Sequence, residues 1–183
     1  MMPQAQKLWR RFAHSTRGIA AVEFAMIFPV LSLIFLASVD GGRATGIYMK
    51  VRAATYAVSA ITNQYSIIHD VDAQANLAAA ATILAPYPTT GVLGVTVSQI
   101  AIDASGNAKI SWSDTLGGTA RTVGSTVTVP TNLKVAGSYL IFGEVTYQYN
   151  PLFGYFGGKS TINLSDNLYV TPRISASITR TSP

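Results

Sequence analysis

The chain has 183 residues, 49% of them hydrophobic and only 11% charged, so it can bury a substantial core and is not a charge-rich disordered protein. It contains no Cys, which excludes disulfides, Cys-ligated zinc and a thiol nucleophile. The net charge of +5 is unevenly placed: Lys7, Arg10, Arg11 and Arg17 form a leader without acids, and the other nine Lys/Arg stand against eight Asp/Glu. A basic leader is a topology signal that keeps its flank cytoplasmic, and the body lacks the basic face that nucleic-acid binding needs.

Residues 19–39 read "IAAVEFAMIFPVLSLIFLASV" and carry a single charge, Glu23. As a helix they would span about 31 Å, close to the hydrocarbon thickness of a bilayer. Pro29, in the middle, would break a helix in water but is tolerated in a membrane as a kink that frees the carbonyl of Ala25. Glu23 costs the span about 2.5–3.5 kcal/mol at most, and four or five large apolar residues offset that. An acid inside a span is by default a functional residue in search of a partner.

"DGGRATG" follows, and then an apolar stripe of Ile47, Val51, Ala54, Val58, Ile61, Tyr65 and Ile68, spaced 4, 3, 4, 3, 4, 3. That spacing predicts a helix of about six turns, with Lys50, Arg52, Thr55, Ser59, Thr62, Asn63 and Ser66 off the stripe, and Ser59 exposed. Gly41, Gly42 and Gly46 leave its continuity with the apolar run open. "HDVDAQANLAAAATILAPYP" predicts a second helix, with Asp70 or Asp72 as N-cap, Leu77, Ala80, Ala81 and Leu84 inward, and Pro86 as its stop.

From Gly91 the pattern changes to strands. "VLGVTVSQIAID" and "NAKISWSD" predict a hairpin joined at "DASGN", "RTVGSTVTVP" alternates Val with Ser/Thr, and "SYLIFGEVTYQY" and "STINLSDNLYVT" are rich in β-branched and aromatic residues. Helices first and strands later predict an α+β fold with a mainly antiparallel sheet.

Catalytic patterns are not visible. "GYFGGKS" at 154–160 ends like a phosphate-binding loop, but the first glycine of that loop would fall on Phe153. "HDVD" at 69–72 reads as a solvated helix start and not as a cation site. Glu144 has no carboxylate partner in view, and His14 and His69 are the only histidines, so neither an acid/base pair nor a serine with its base emerges. Trp112, Tyr147, Tyr149 and Phe153 read as core and sheet-face residues. No enzyme, metal site or cofactor is expected.

One arrangement gives Glu23 a partner. If the chain were cut after Gly18, Ile19 would carry a new α-ammonium, and the Glu23 carboxylate of one chain could meet the ammonium of a neighbour. Gly, four residues, then Glu, at the head of an apolar helix behind a basic leader, is the prepilin pattern. "RGIAAVEFAMIFPVL" and "VDGGRA" resemble the TadE/TadG-like minor pilins (pseudopilins) of tight-adherence (Tad/Flp) pili, through Arg17, Gly18, Ala20–Ala25, Pro29 and Asp40–Arg43. Asp40 stands where that family more often has Glu, and the close match covers residues 17–44. "VTYQYNPLFGYFG" and Arg173 are weakly similar to the family's C-terminal part.

The resemblance implies a type IV pilin-like α+β fold. It implies a prepilin peptidase acting between Gly18 and Ile19, and partners among other pilins and pilus-assembly proteins. The expected plan is a cytoplasmic leader at 1–18, a single inner-membrane span at 19–40 and a periplasmic domain at 41–183, with helices over about 44–85 and strands over about 92–172. The competing expectation is a periplasmic or secreted binding module behind an ordinary signal peptide cut near "SVDG", against which Glu23 and Pro29 argue.

Overall fold

The computed structural model describes residues 17–153 and 161–181. The leader before residue 17 and the sequence "GYFGGKS" at 154–160 lie outside the described residues. In chain order the elements are α1 (Arg17–Thr62), β1 (Ile67–His69), α2 (Asp70–Thr82), β2 (Leu93–Ile102), β3 (Ala108–Leu116), a 3-10 turn (Thr131–Leu133), β4 (Tyr139–Tyr149), β5 (Ile162–Val170) and β6 (Thr179–Thr181). The fold is α+β, helices before a mainly antiparallel sheet, as the sequence predicts. The chain divides into two units, Met1–Gly42 and Arg43–Pro183, and the division falls within α1.

In the first unit, α1 presents apolar side chains on every side. Ile19, Val22, Phe24, Met26, Leu31 and Phe35 are each more than half exposed. Such a surface is not stable against water and calls for lipid or other helices. Ser38, one of two serines in this run, donates to the Ile34 carbonyl one turn back (2.8 Å), which satisfies it without water.

The second unit is built on a sheet of order β3-β2-β4-β5, antiparallel throughout. Its helix-side core contains Ile47, Val51, Ala54 and Val58 of α1, Ala73, Leu77 and Ala80 of α2, and Val95, Val97, Ile141 and Val145 of the sheet. The stripe therefore does what its spacing predicts. Each fully buried Ile, Val or Leu contributes about 1.5–3 kcal/mol.

Four expectations are corrected here. Helix α1 stops at Thr62, not near Ile68, and Ile67–His69 is a strand in which only Ile68 is buried. Ile68 fits the next helical position and an alternating strand equally well. Pairing with β6, more than a hundred residues away, decides between them.

The N-cap of α2 is His69, whose N–H donates to Asp72 Oδ2 (3.3 Å), so Asp72 serves from the third helical position and Asp70 is not a cap. The helix ends at Thr82, before Pro86, and Lys50 Nζ donates to the carbonyls of Ile83 (3.1 Å) and Ala85 (2.7 Å) beyond that end.

Ser59 is not exposed. Thr55, Ser59 and Thr62 are fully buried, and two of them return their hydroxyls to the helix, Thr55 to Val51 O (3.0 Å) and Ser59 to Thr55 O (2.8 Å). A Cβ on Gly143 of β4 would lie 2.1 Å from Ser59 Oγ. The polar flank of the stripe is thus a line of small residues that lets the helix approach the sheet backbone.

Finally, "RTVGSTVTVP" forms no strand beyond one bridge, Lys109↔Thr126. Gly124, at φ +80°, opens a short stretch, Gly124 to Val127, that makes three backbone bonds to β3. Val127 and Val129 instead cover a second small core of Ile100, Ile102, Ile110, Leu140 and Phe142 on the far face of the sheet. A register shift opposite Gln99/Ile100 makes two cores possible, since it sends Trp112 to the helix side and Ile110 to the far side although both have the same parity.

The C-terminal segment closes the domain. Arg173 N donates to Asn63 O (2.9 Å) and Thr179 N to Ser66 O (3.0 Å), and β6 pairs in parallel with β1. Ile178 is buried, its N–H bound to Gln99 Oε1 (2.7 Å) and its carbonyl to Trp112 Nε1 (3.0 Å). Arg180 spans Asp70 of α2 and Asp114 of β3, the latter through two bonds of 2.8 and 3.0 Å. Its pKa is raised, chiefly by the bond to Asp114.

Substitutions at Ser59, Gly143 and Arg180 test this packing. Ser59→Asp should destabilise the second unit by about 2–4 kcal/mol, because it buries a charge against a backbone, while Ser59→Ala should cost far less. Gly143→Ala should be destabilising in the wild-type background and clearly less so with Ser59→Ala, as read from a double-mutant cycle in denaturant. Arg180→Met should cost about 1–3 kcal/mol, between the values of exposed and buried pairs. It should also speed amide exchange at Ile178 and Thr179 more than in β4.

Candidate functional site

The residues singled out in the sequence lie together at the start of α1. Gly18 is its second residue, exposed, with nothing within 4 Å of the place a Cβ would take. Ile19 is 58% exposed and Glu23 is exposed. Four residues apart on a helix, Ile19 and Glu23 share one face. Glu23 has no ion-pair partner among the described residues. Pro29 lies inside the helix, and Asp40–Arg43 are helical as well. Phe24 and Phe28, on the turn after Glu23, have ring centroids 5.4 Å apart.

The other sequence candidates are used structurally. In "HDVD", His69 caps α2 and its Nδ1 lies 2.8 Å from Thr181 Oγ1, Asp70 pairs with Arg180, and Asp72 completes the cap. Among the described residues no group of three His, Asp or Glu is placed to hold a metal. Trp112, Tyr147 and Tyr149 are buried in the helix-side core as expected.

One constellation was not visible in the sequence. Glu144, read there only as lacking a carboxylate partner, receives two bonds from Arg121, Nε to Oε2 (2.7 Å) and Nη2 to Oε1 (2.6 Å). The pair raises the Arg121 pKa, and the Arg121 guanidinium sits 5.2 Å from the Phe142 ring centroid. Burial, together with the nearby Glu144 charge, keeps Tyr169 protonated beyond its ordinary range.

The pair forms one wall of an open pocket of about 310 Å³ on the far face of the sheet, lined also by Gly94, Thr96, Gly118, Thr119 and Thr146. The glycines of "TLGGTAR" were the available signal. Gly117, at φ +71°, takes a turn that would put a Cβ 2.3 Å from Leu93 O, and so sends the chain back over the sheet to Arg121.

Residues 18–59 match the family model described as TadE-like protein. No curated protein and no solved structure gives a significant match. The matched stretch begins on Gly18, contains Glu23, Pro29 and Asp40–Arg43, and ends on the buried Ser59. It supports a structural part in a pilus system and gives no support to an enzyme. By the match of its first helix, the chain carries a TadE-like segment consistent with a component of a Tad pilus.

Proposed function

We propose that this chain is a membrane-anchored minor-pilin or pseudopilin-like component of Tad/Flp pilus assembly. In this reading a prepilin peptidase cuts it between Gly18 and Ile19, and the apolar half of α1 stays in the inner membrane with the body on the periplasmic side. The reading rests on one observation: a helix apolar on all sides, with one acid four residues after the proposed new N-terminus, inside the stretch that matches the TadE-like model. Glu23 makes its own span less apolar, so its presence is best explained by a use other than insertion. Its proposed partner is the Ile19 ammonium of a neighbouring pilin, since two charges that each burden a membrane neutralise one another on pairing. The helix would then be the surface shared with other pilins and assembly proteins, and four leader cations set the orientation.

The mature N-terminus, sequenced on protein taken from its native membrane, should be Ile19. A start near residues 39–42 would mean an ordinary signal peptide and a released body. Gly18→Leu should leave the full-length form, because a peptidase must approach this backbone closely. Glu23→Ala should insert at wild-type level or better and still be cut, yet fail to support piliation, since loss of one partner of a buried pair costs about 3–5 kcal/mol. Normal piliation by Glu23→Ala at normal membrane level would remove the basis for the pairing.

A further inference from the structure

The far face of the sheet carries a site independent of the reading above. Facing rows of β2, β4 and β5 place Gly94, Thr146 and Ser165 side by side, then Thr96, Glu144 and Asn167, then Ser98, Phe142 and Tyr169. The second small core buries the end of this face near Leu140 and Phe142. The end near Gly94 and Thr146 stays open as the pocket.

The wall is fixed at three points: the Gly117 turn, the Arg121 N–H donating to Ser113 Oγ (3.0 Å), and the two bonds between Arg121 and Glu144. The floor is kept low by two glycines. A Cβ on Gly94 would lie 2.8 Å from Thr146 Oγ1, and one on Gly118 would lie 3.0 Å from Thr115 Oγ1. Thr96 and Thr115 hold each other's hydroxyls at 2.9 Å.

The chemistry of this pocket is specific in kind. Arg121 and Glu144 cancel in charge, so the pocket neither attracts an anion as a free guanidinium would nor a cation as a free carboxylate would. What remains is a dense set of donors and acceptors held in place: threonine hydroxyls that do both, a guanidinium that donates and a carboxylate that accepts. Tyr169, stacked on Phe142 (centroids 4.3 Å apart) and electrostatically close to both Arg121 and Glu144, adds an aromatic face beside the polar ones. A volume of about 310 Å³ lies at the lower end of the range of small-ligand sites, about 300–1,000 Å³, enough for one ring and not for an extended fold. Only a ligand rich in neutral hydroxyls uses all these features at once: its hydroxyls need both donors and acceptors, and the C–H face of a ring packs on an aromatic.

We propose that this pocket is a binding site for one neutral sugar ring of a polysaccharide, with Glu144, Arg121, Thr96 and Thr146 contacting its hydroxyls and Tyr169 packing against the adjoining unit.

The test uses the full chain in lipid nanodiscs, since sugar-headed detergents would compete. Cellohexaose, maltohexaose, chitohexaose and dextran are titrated by calorimetry, with dextran sulfate as the anionic comparison. Saturable binding of at least one neutral glycan is expected, weakened at least tenfold by Thr146→Trp, which fills the pocket from an exposed position, and several-fold by Thr96→Val. Thr119→Trp fills it from the loop side and gives the same reading should Thr146→Trp perturb the sheet, with circular dichroism checking each variant. Absence of saturable binding to every neutral glycan overturns the proposal, as does binding that neither filling variant weakens. Preferential binding of dextran sulfate, lost in Arg121→Ala, also overturns it, because the pocket would then be an anion site.

Discussion

The second unit depends on a close approach of helix to sheet. Buried Ser59 lies so near Gly143 that neither position has room to grow. Once α1 is seated at that distance, Val51, Ala54 and Val58 reach into the spaces between Val95, Val97, Ile141 and Val145, and the register of the packing is set. Larger residues on the helix would hold it off, and the apolar stripe would then meet water-sized gaps, not partners. The hydroxyls of Thr55 and Ser59 are tolerable at this depth because each turns back to a carbonyl of its own helix.

That seat also fixes the neighbours. Lys50, next to Val51, reaches the carbonyls that follow α2, so the second helix is held by its end as well as by its apolar face. The other end of α2 is held by the cap at His69 and by Arg180. A helix of 13 residues is marginal alone, and here both termini and one face are spoken for.

Much of this was legible in the residues. The 3-4 spacing from Ile47 to Val58 identified the buried face of α1, the four strands of the main sheet appeared where expected, and "RGIAAVEF" carried the resemblance that the family match bears out over residues 18–59. What was not legible was non-local. Ile68 looked like the next turn of a helix because the strand that claims it lies at the far end of the chain. Ser59 looked exposed because polarity predicts exposure only where no glycine faces the residue across an interface. The pairing of Glu144 with Arg121 was hidden because Arg121 comes over it through a turn whose geometry rests on one glycine, and a search for carboxylate partners does not reveal a loop. The bulge that separates Ile110 from Trp112 leaves no mark in an alternating pattern at all.

The segment around β6 governs how this body folds. Ile178 and Arg180 complete contacts with Gln99, Trp112, Asp70 and Asp114, and among the described strands β1 pairs with β6, so the body lacks part of its framework until residues 178–181 are in place. Contacts of such sequence separation form slowly. Residues 178–181 are in effect a latch, joining α2, β1 and β3 across 66 to 112 residues of intervening chain.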